Sequence, residues 1–160
     1  MATGQLLVAG IGNIFLGDDG FGPEVLARLP HEYDERVCLR DYGIRGMHLA
    51  YDLLEPWRAL ILVDALPNRG AAGRVEVLRA DPDTAEATGL DAHAMDPAAV
   101  FAGVRALGGT VPPTIVVGCQ VACVEEGIGL SDRVAAAVDA ATTAVADVLA
   151  ELLAAAPEEV

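Results

Sequence analysis

Short apolar segments alternate with helical patterns along this chain of 160 residues, and this alternation constrains the fold more than any other feature. QLLVAG (5–10) and RALILVDAL (58–66) are predominantly apolar segments, typical of strands buried on both faces of a sheet. Two segments between them, FGPEVLARL (21–29) and MHLAYDLLEP (47–56), carry apolar residues at helical spacing. Strands that alternate with helices form a parallel sheet covered on both faces. We therefore predict an α/β fold, a three-layer α/β/α sandwich with a twisted, mostly parallel five-stranded sheet.

The remaining elements complete this arrangement, with one exception to the alternation. Further strands are predicted at 36–43, 73–80 and 113–119, and further helices at 97–108 and 132–155. Between Leu66 and Gly73 there are too few residues for a helical crossover, which needs about a dozen. We therefore expect the 58–66 and 73–80 strands to pair with each other in antiparallel orientation. The length favours a single domain over residues 1–160.

The charged and hydroxyl residues exclude several classes of function. The formal net charge of −14 argues against nucleic acid, because nucleic-acid binding requires a basic face. The chain contains no lysine, which removes Schiff-base chemistry and the lysine of a phosphate-binding P-loop. Its only serine, Ser131, precedes a helical pattern and is predicted to be a helix N-cap, so a serine hydrolase is not expected.

Nothing in the sequence indicates a membrane or an oxidising compartment. No apolar segment reaches the ~20 residues of a membrane span. The first residues lack the basic start and the cleavage signature of a signal peptide. The three cysteines (Cys38, Cys119 and Cys123) are odd in number and lack metal-finger spacing. We therefore expect a cytoplasmic monomer that contacts neither nucleic acid nor membrane.

Acidic residues are predicted at the ends of three strands. Asp18 and Asp19 lie in the glycine-rich loop after the first strand, Asp41 ends the second strand, and Asp64 ends the third. In parallel sheets, ligands bind beyond the carboxyl ends of the strands, where the strand order switches. These acids are therefore expected to meet at one edge of the sheet.

Each acid also has a purely structural interpretation. Asp18 or Asp19 could cap the helix that follows. Asp64 could bind the amides of the next turn, and Asp41 could form an Asx-turn. All of them together would crowd like charges at one edge, which is unfavourable, and a bound cation would remove that cost.

Metal sites of this kind usually include a softer ligand than a carboxylate. Of the three histidines, His31 is expected in solvent and His48 on a partly exposed helix. His93 lies in a long loop, 13 residues after the fourth strand. Such a segment extends to about 43 Å at most, so His93 can reach the acidic edge.

The glycine-rich segment GIGNIF has the first two glycines of a dinucleotide-binding fingerprint. Phe15 stands where the third glycine belongs, and the adjacent Asp18–Asp19 pair would repel a pyrophosphate. The glycines are better explained by a tight turn that brings the acids inward.

Five segments, in this order, resemble the hydrogenase maturation endopeptidases: GIGNIFLGDDGFG, RDYGIRG, ILVDAL, DAHAMDP and GIGLSDRV. The resemblance covers nearly the whole chain, and its opening motif is specific. It implies an α/β sandwich and an endopeptidase that removes a C-terminal peptide from the large-subunit precursor of a [NiFe] hydrogenase after nickel insertion.

The resemblance also implies a set of site residues. The family's metal ligands correspond here to Asp19, Asp64 and His93, with Asp19 in place of the glutamate of some relatives. Nickel held in the precursor is the implied ion, and other divalent ions could substitute for it. Asp41 matches a motif acid expected to recognise or orient the substrate. Asp18 or Asp41 could accept a proton from the attacking water.

Four other interpretations remain open. Asp19 and Asp64 could share a proton as an aspartic dyad that needs no metal. The protein could be a peptidase with its own bound zinc. Cys119 or Cys123, near the active edge, could contact substrate or act with a histidine. The chain could also be a non-catalytic nickel-binding or nucleotide-binding module.

Overall fold

The structure is a computed structural model that describes residues 5–80 and 97–155. The described residues form five strands and four α-helices. The strands are β1 (Leu6–Ile11), β2 (Val37–Gly43), β3 (Ala59–Leu66), β4 (Val75–Ala80) and β5 (Thr114–Gln120). The helices are α1 (Phe21–Arg28), α2 (Gly46–Asp52), α3 (Pro97–Ala106) and α4 (Asp132–Ala154), and a 3₁₀ turn (Gly17–Gly20) precedes α1.

The helix predicted at 47–56 ends earlier than expected. It ends at Asp52, because the following residues make tighter turn hydrogen bonds, such as Leu54 N–H to the Tyr51 carbonyl at 3.1 Å. The indole N–H of Trp57 donates to the Asp52 carbonyl at 2.9 Å. This bond satisfies one of the carbonyls that a helix leaves unpaired at its C-terminus.

The predicted mixed α/β sheet is confirmed, with the strand order β2-β1-β3-β5-β4. Strands β2, β1, β3 and β5 are parallel to one another, and β4 is antiparallel to its neighbour β5. The prediction that the 58–66 and 73–80 strands pair with each other is wrong. The orientation is as expected, but β5 lies between these two strands and pairs with both.

The side chains of the two strands explain this insertion. In β5 nearly every residue is buried, so this strand needs a neighbour on each side. In β4 the residues are half-buried or exposed, which suits an edge strand.

The side chain of Gln120, at the end of β5, holds the connection between β3 and β4. Its Oε1 accepts hydrogen bonds from the backbone N–H groups of Arg69 (2.8 Å) and Ala71 (3.1 Å), and its Nε2 donates to Glu76 at 2.7 Å.

Two apolar cores, one on each face of the sheet, complete the three layers. Helices α1 and α4 cover one face, where β1 contributes Leu6 and Val8. Helices α2 and α3 cover the other face, where β1 contributes Leu7, Ala9 and Ile11. Helix α4 buries one apolar stripe against the first face: Val134, Val138, Ala141, Val145 and Leu149. Among the described helices, none combines the length and hydrophobicity of a membrane span.

Substitutions in β3 and β4 should differ strongly in their effect on stability, because β3 is central and β4 is an edge strand. Leu62 is 0% exposed and Leu78 is 37% exposed. We expect Leu62→Ala to lower the free energy of unfolding by about 2–5 kcal/mol. The matched Leu78→Ala change should cost less than about 1 kcal/mol. Urea unfolding measures both values, and equal losses would contradict the strand order.

Candidate functional site at the carboxyl edge of the sheet

Three neighbouring parallel strands end at the same edge of the sheet, and each brings an acid there. Gly10 of β1 pairs with Asp41 of β2 on one side and with Val63 of β3 on the other. Asp64 follows Val63 directly, so Asp41 and Asp64 stand at nearly the same level on either side of β1. After β1, the chain passes through α1 to β2, which lies on one side of β1. It then returns to β3, which lies on the other side of β1, so the strand order switches between β1 and β3. The sheet thus places Asp64 at the switch point, where ligands bind in parallel sheets, and Asp41 at the same edge but on the far side of β1.

The start of α1 lies directly against the ends of β1 and β3. A Cβ atom at Gly22 would collide with the carbonyl oxygens of Ile11 and Val63. Only glycine permits this approach, because any side chain would push the helix off the two strands. Asp19 lies three residues before Gly22, in the 3₁₀ turn, which packs against β3. The close approach therefore fixes the acidic turn over the ends of both strands.

Backbone N–H groups orient both of the carboxylates predicted to be metal ligands. Asp19 is partly exposed, and its Oδ2 accepts a hydrogen bond from the N–H of Asn13 at 2.8 Å. No described residue donates to its other oxygen. Asp64 is 6% exposed, and its Oδ1 accepts from the N–H of Ala65 at 2.8 Å. Carboxylates held in this way have few rotamers to lose when they bind a ligand.

Asp18 is in a very different environment from its neighbour. It is fully buried and accepts four hydrogen bonds. Its Oδ2 receives the N–H of Ala122 (2.8 Å), the N–H of Cys123 (2.9 Å) and the hydroxyl of Ser131 (2.8 Å), and its Oδ1 receives the N–H of Ser131 (2.6 Å). Burial raises the pKa of Asp18, but these hydrogen bonds outweigh it, so the pKa is lowered overall. Asp18 is therefore a buried, ionised and fully hydrogen-bonded group.

Asp18 joins two loops that are far apart in sequence. The first is the acidic loop (residues 12–20), and the second is the 121–131 loop, which leads from β5 to α4. The backbone strengthens this connection: the N–H of Asp18 donates to the Cys123 carbonyl at 2.8 Å, and that of Gly17 to the Gly127 carbonyl at 2.9 Å. Gly17 has φ +54°, and a Cβ there would lie 2.8 Å from the Cys123 oxygen. Glycine at position 17 thus allows the two loops to approach.

The structural interpretations of the acids have mixed outcomes. Helix α1 has no side-chain cap, so neither Asp18 nor Asp19 caps it. The Asx-turn at Asp41 is confirmed, because its Oδ1 accepts from the N–H of Gly43 at 2.9 Å. Ser131 does occupy the N-cap position of α4, but it makes no side-chain cap bond and donates its hydroxyl to Asp18 instead. No local signal in the sequence predicts this use of the chain's only serine, although GIGLSDRV is one of the five segments that carry the family resemblance.

The two histidines that the structure describes are exposed to solvent, as expected. His31 and His48 are exposed, and Nε2 of His48 lies 3.7 Å from Asp52, in α2. His93 lies outside the described residues, so its place in the site stays a prediction.

The donor set fits a divalent cation only in part. Carboxylate oxygens and one imidazole suit borderline divalent ions, and Asp19 and Asp64 supply the carboxylates. Within residues 5–80 and 97–155, however, no group of three or more His, Cys, Asp and Glu side chains is arranged to hold a metal ion. Of the three predicted ligands, Asp19 and Asp64 are described, and His93 lies outside the described residues.

The cysteines are all free thiols with contrasting environments. Cys119 is buried, Cys38 is half-buried and Cys123 is exposed. Burial, aided by the charges of Asp18 and Glu76, raises the pKa of the Cys119 thiol to about 11. A thiol in this state is a poor nucleophile at neutral pH.

Comparisons with protein families, sequences and solved structures all find hydrogenase maturation proteases. A family model described as hydrogenase maturation protease matches residues 23–148. The hydrogenase 2 maturation protease of Escherichia coli is 28% identical over 150 residues, covering 92% of each chain. The solved structure of the E. coli hydrogenase maturating endopeptidase HybD superposes with a TM-score of 0.77 and 29% identity, covering 92% of this chain and 93% of that one. A shorter match, 40% identical over 68 residues, covers 39% of this chain and 43% of the coenzyme F420 hydrogenase subunit delta of Methanothermobacter thermautotrophicus.

The cysteines should differ in their reactivity. At pH 8 we expect iodoacetamide to modify the exposed Cys123 first and to leave Cys119 unmodified in the folded protein, because the Cys119 thiol is buried and protonated. Peptide mass spectrometry locates the modified residues, and the protein unfolded in guanidinium, where all three thiols react, serves as control. Rapid modification of Cys119 in the folded state would restore it as a candidate nucleophile.

Proposed function

Because the chain belongs to the hydrogenase maturation protease family, we propose that it removes the C-terminal peptide of a [NiFe]-hydrogenase large-subunit precursor after nickel insertion. The observation that carries this proposal is the pair of oriented carboxylates at the carboxyl edge of the sheet. Asp19 and Asp64 stand at the switch point between β1 and β3, each oriented by a backbone N–H group. A peptidase that works through water and carboxylates needs such groups at a site that substrate can reach.

We infer that Asp19 and Asp64, together with His93, hold the nickel ion that the precursor carries. The ion is then part of the substrate, and it acts as a recognition tag because a precursor without it offers no ligand to the carboxylates. A bound divalent ion can polarise a carbonyl or lower the pKa of a water molecule. Other divalent ions could substitute for nickel.

Of the two acids proposed to accept a proton from water, the hydrogen bonds favour Asp41. A proton on either oxygen of Asp18 would displace donors already bound there, one on Oδ1 or three on Oδ2, and no water reaches Asp18 because it is fully buried. Asp41 is exposed, and its only described side-chain bond is the one from Gly43 N–H to Oδ1. Its second oxygen is therefore accessible to water or to the precursor.

The net charge and the free cysteines support a proposal for the cellular compartment and the partner. The three free thiols fit a reduced cytoplasm. The net charge of −14 favours a cationic protein surface as partner rather than nucleic acid. We propose that the protein acts as a monomer.

The proposed ligands can be tested by single substitutions. We expect Asp19→Ala, Asp64→Ala and His93→Ala each to abolish processing of the nickel-loaded precursor without unfolding the protein, because each removes one proposed ligand of the ion. The product is weighed by mass spectrometry, and circular dichroism checks the fold. Asp139→Ala, an acid of α4 with a 90% exposed side chain, is the matched control and should process normally.

Nickel-free precursor in the same assay separates the competing mechanisms. Normal processing by Asp64→Ala would overturn the ligand assignment. Cleavage of nickel-free precursor by the unmodified protein would favour the aspartic dyad, and stoichiometric zinc in the purified protein would favour a resident metal. Absence of cleavage together with nucleotide binding would favour a binding module.

Asp41 can be tested by an isosteric change. Asp41→Asn keeps an oxygen that accepts the Gly43 N–H, but it removes the basic carboxylate. If Asp41 accepts the proton, kcat should fall by about 10²–10⁴-fold with little change in KM. Steady-state kinetics on the precursor measures both values. A raised KM with unchanged kcat would instead assign Asp41 to recognition of the precursor.

A further inference from the structure

Four large apolar side chains are exposed beside the candidate site. They belong to the two loops that Asp18 joins, and we call them the apolar rim: Ile14 (47% exposed), Phe15 (60%), Val124 (48%) and Ile128 (77%). Large apolar residues at such exposure, gathered in one place, mark interaction surfaces more often than scattered single ones do.

Backbone hydrogen bonds place the two halves of the rim side by side. The N–H of Gly127, the residue before Ile128, donates to the carbonyl of Phe15 at 2.8 Å, and Leu16 and Gly127 form a parallel bridge. The N–H of Asp18 donates to the carbonyl of Cys123, the residue before Val124. The apolar rim is therefore one surface, although its two halves are more than 100 residues apart in sequence.

The rim is held in place without being buried. Its own side chains contribute little packing, so the loops depend on the bonds to Asp18 and on those between their backbones. A loop that is already ordered loses little entropy when a partner binds, which increases affinity. An exposed and ordered apolar surface beside the site is therefore suited to bind a protein substrate.

We propose that the apolar rim docks the folded body of the large-subunit precursor, and that Asp18 is the positioning residue that fixes it. This inference rests on the proposed function. The occupant follows from continuity with the site, because Phe15 and Asp19 share one loop, so a protein bound at Asp19 lies next to the rim. Glu125 and Glu126, both exposed, lie between Val124 and Ile128. The precursor should therefore present an apolar patch bordered by basic side chains.

The rim is tested by steady-state processing of nickel-loaded precursor. Phe15→Ser and Ile128→Ser should each raise KM by about tenfold and leave kcat nearly unchanged, because they remove binding contacts and no reacting group. Leu107→Ser is the matched control. Leu107 is 44% exposed but follows α3, at the opposite edge of the sheet, so both constants should stay at the wild-type value.

The role of Asp18 is tested through its partner, because substitution of Asp18 itself could unfold the loops. Ser131→Ala removes one of the four donors and should raise KM, whereas Ser131→Thr keeps the hydroxyl and should restore it. Thermal unfolding shows whether both variants are folded. A merely structural role of the bond would lower the melting temperature of Ser131→Ala and leave KM unchanged.

The outcomes separate this inference from the proposed function. If the wild-type protein does not cleave the precursor, the proposed function fails. If the wild type cleaves but Phe15→Ser and Ile128→Ser keep the wild-type KM, the docking surface fails and the function stands. If the rim variants raise KM but Ser131→Ala does not, the surface stands and the positioning role of Asp18 is overturned.

Discussion

The buried carboxylate of Asp18 is the interaction on which the site depends. An ionised group away from water is very unfavourable unless donors surround it, and here the 121–131 loop supplies all four. The two loops can therefore separate only by leaving that charge unsatisfied. This constraint makes the acidic loop and the 121–131 loop one unit. It also fixes the turn in which Asp19 lies.

Four aspartates near one edge have distinct environments, although they are chemically the same residue. Asp18 is buried with its oxygens occupied, Asp64 is almost buried, Asp19 is partly open, and Asp41 is exposed. The number of donors and the access of water decide what each can do. A saturated carboxylate supports the structure, whereas one with an open oxygen can bind an ion or accept a proton.

Most of the fold was predictable, because local and global signals agree. Predominantly apolar segments marked β1 and β3, and helical spacing marked α1 and α4, with bounds within a few residues of those observed. The antiparallel direction of β4 followed from the short link after Leu66. Its partner did not, because a link of that length reaches either the adjacent strand or the one beyond. The buried character of β5 and the exposed residues of β4 (Val77, Leu78 and Arg79) decide between them.

For the site, the sequence by itself determined which acids follow which strands and, through motif order, the family. The resemblance assigned Asp19 to the metal and left Asp18 as a possible proton acceptor. It could not show that Asp18 is buried and saturated with hydrogen bonds, since adjacent identical residues differ only in what the fold places around them. Only the tertiary structure decided that Asp18 faces the amides of Ala122, Cys123 and Ser131. The physical reason is distance along the chain: contacts between residues more than 100 positions apart leave no local periodicity, and they form only when β5 brings its following loop beside the end of β1.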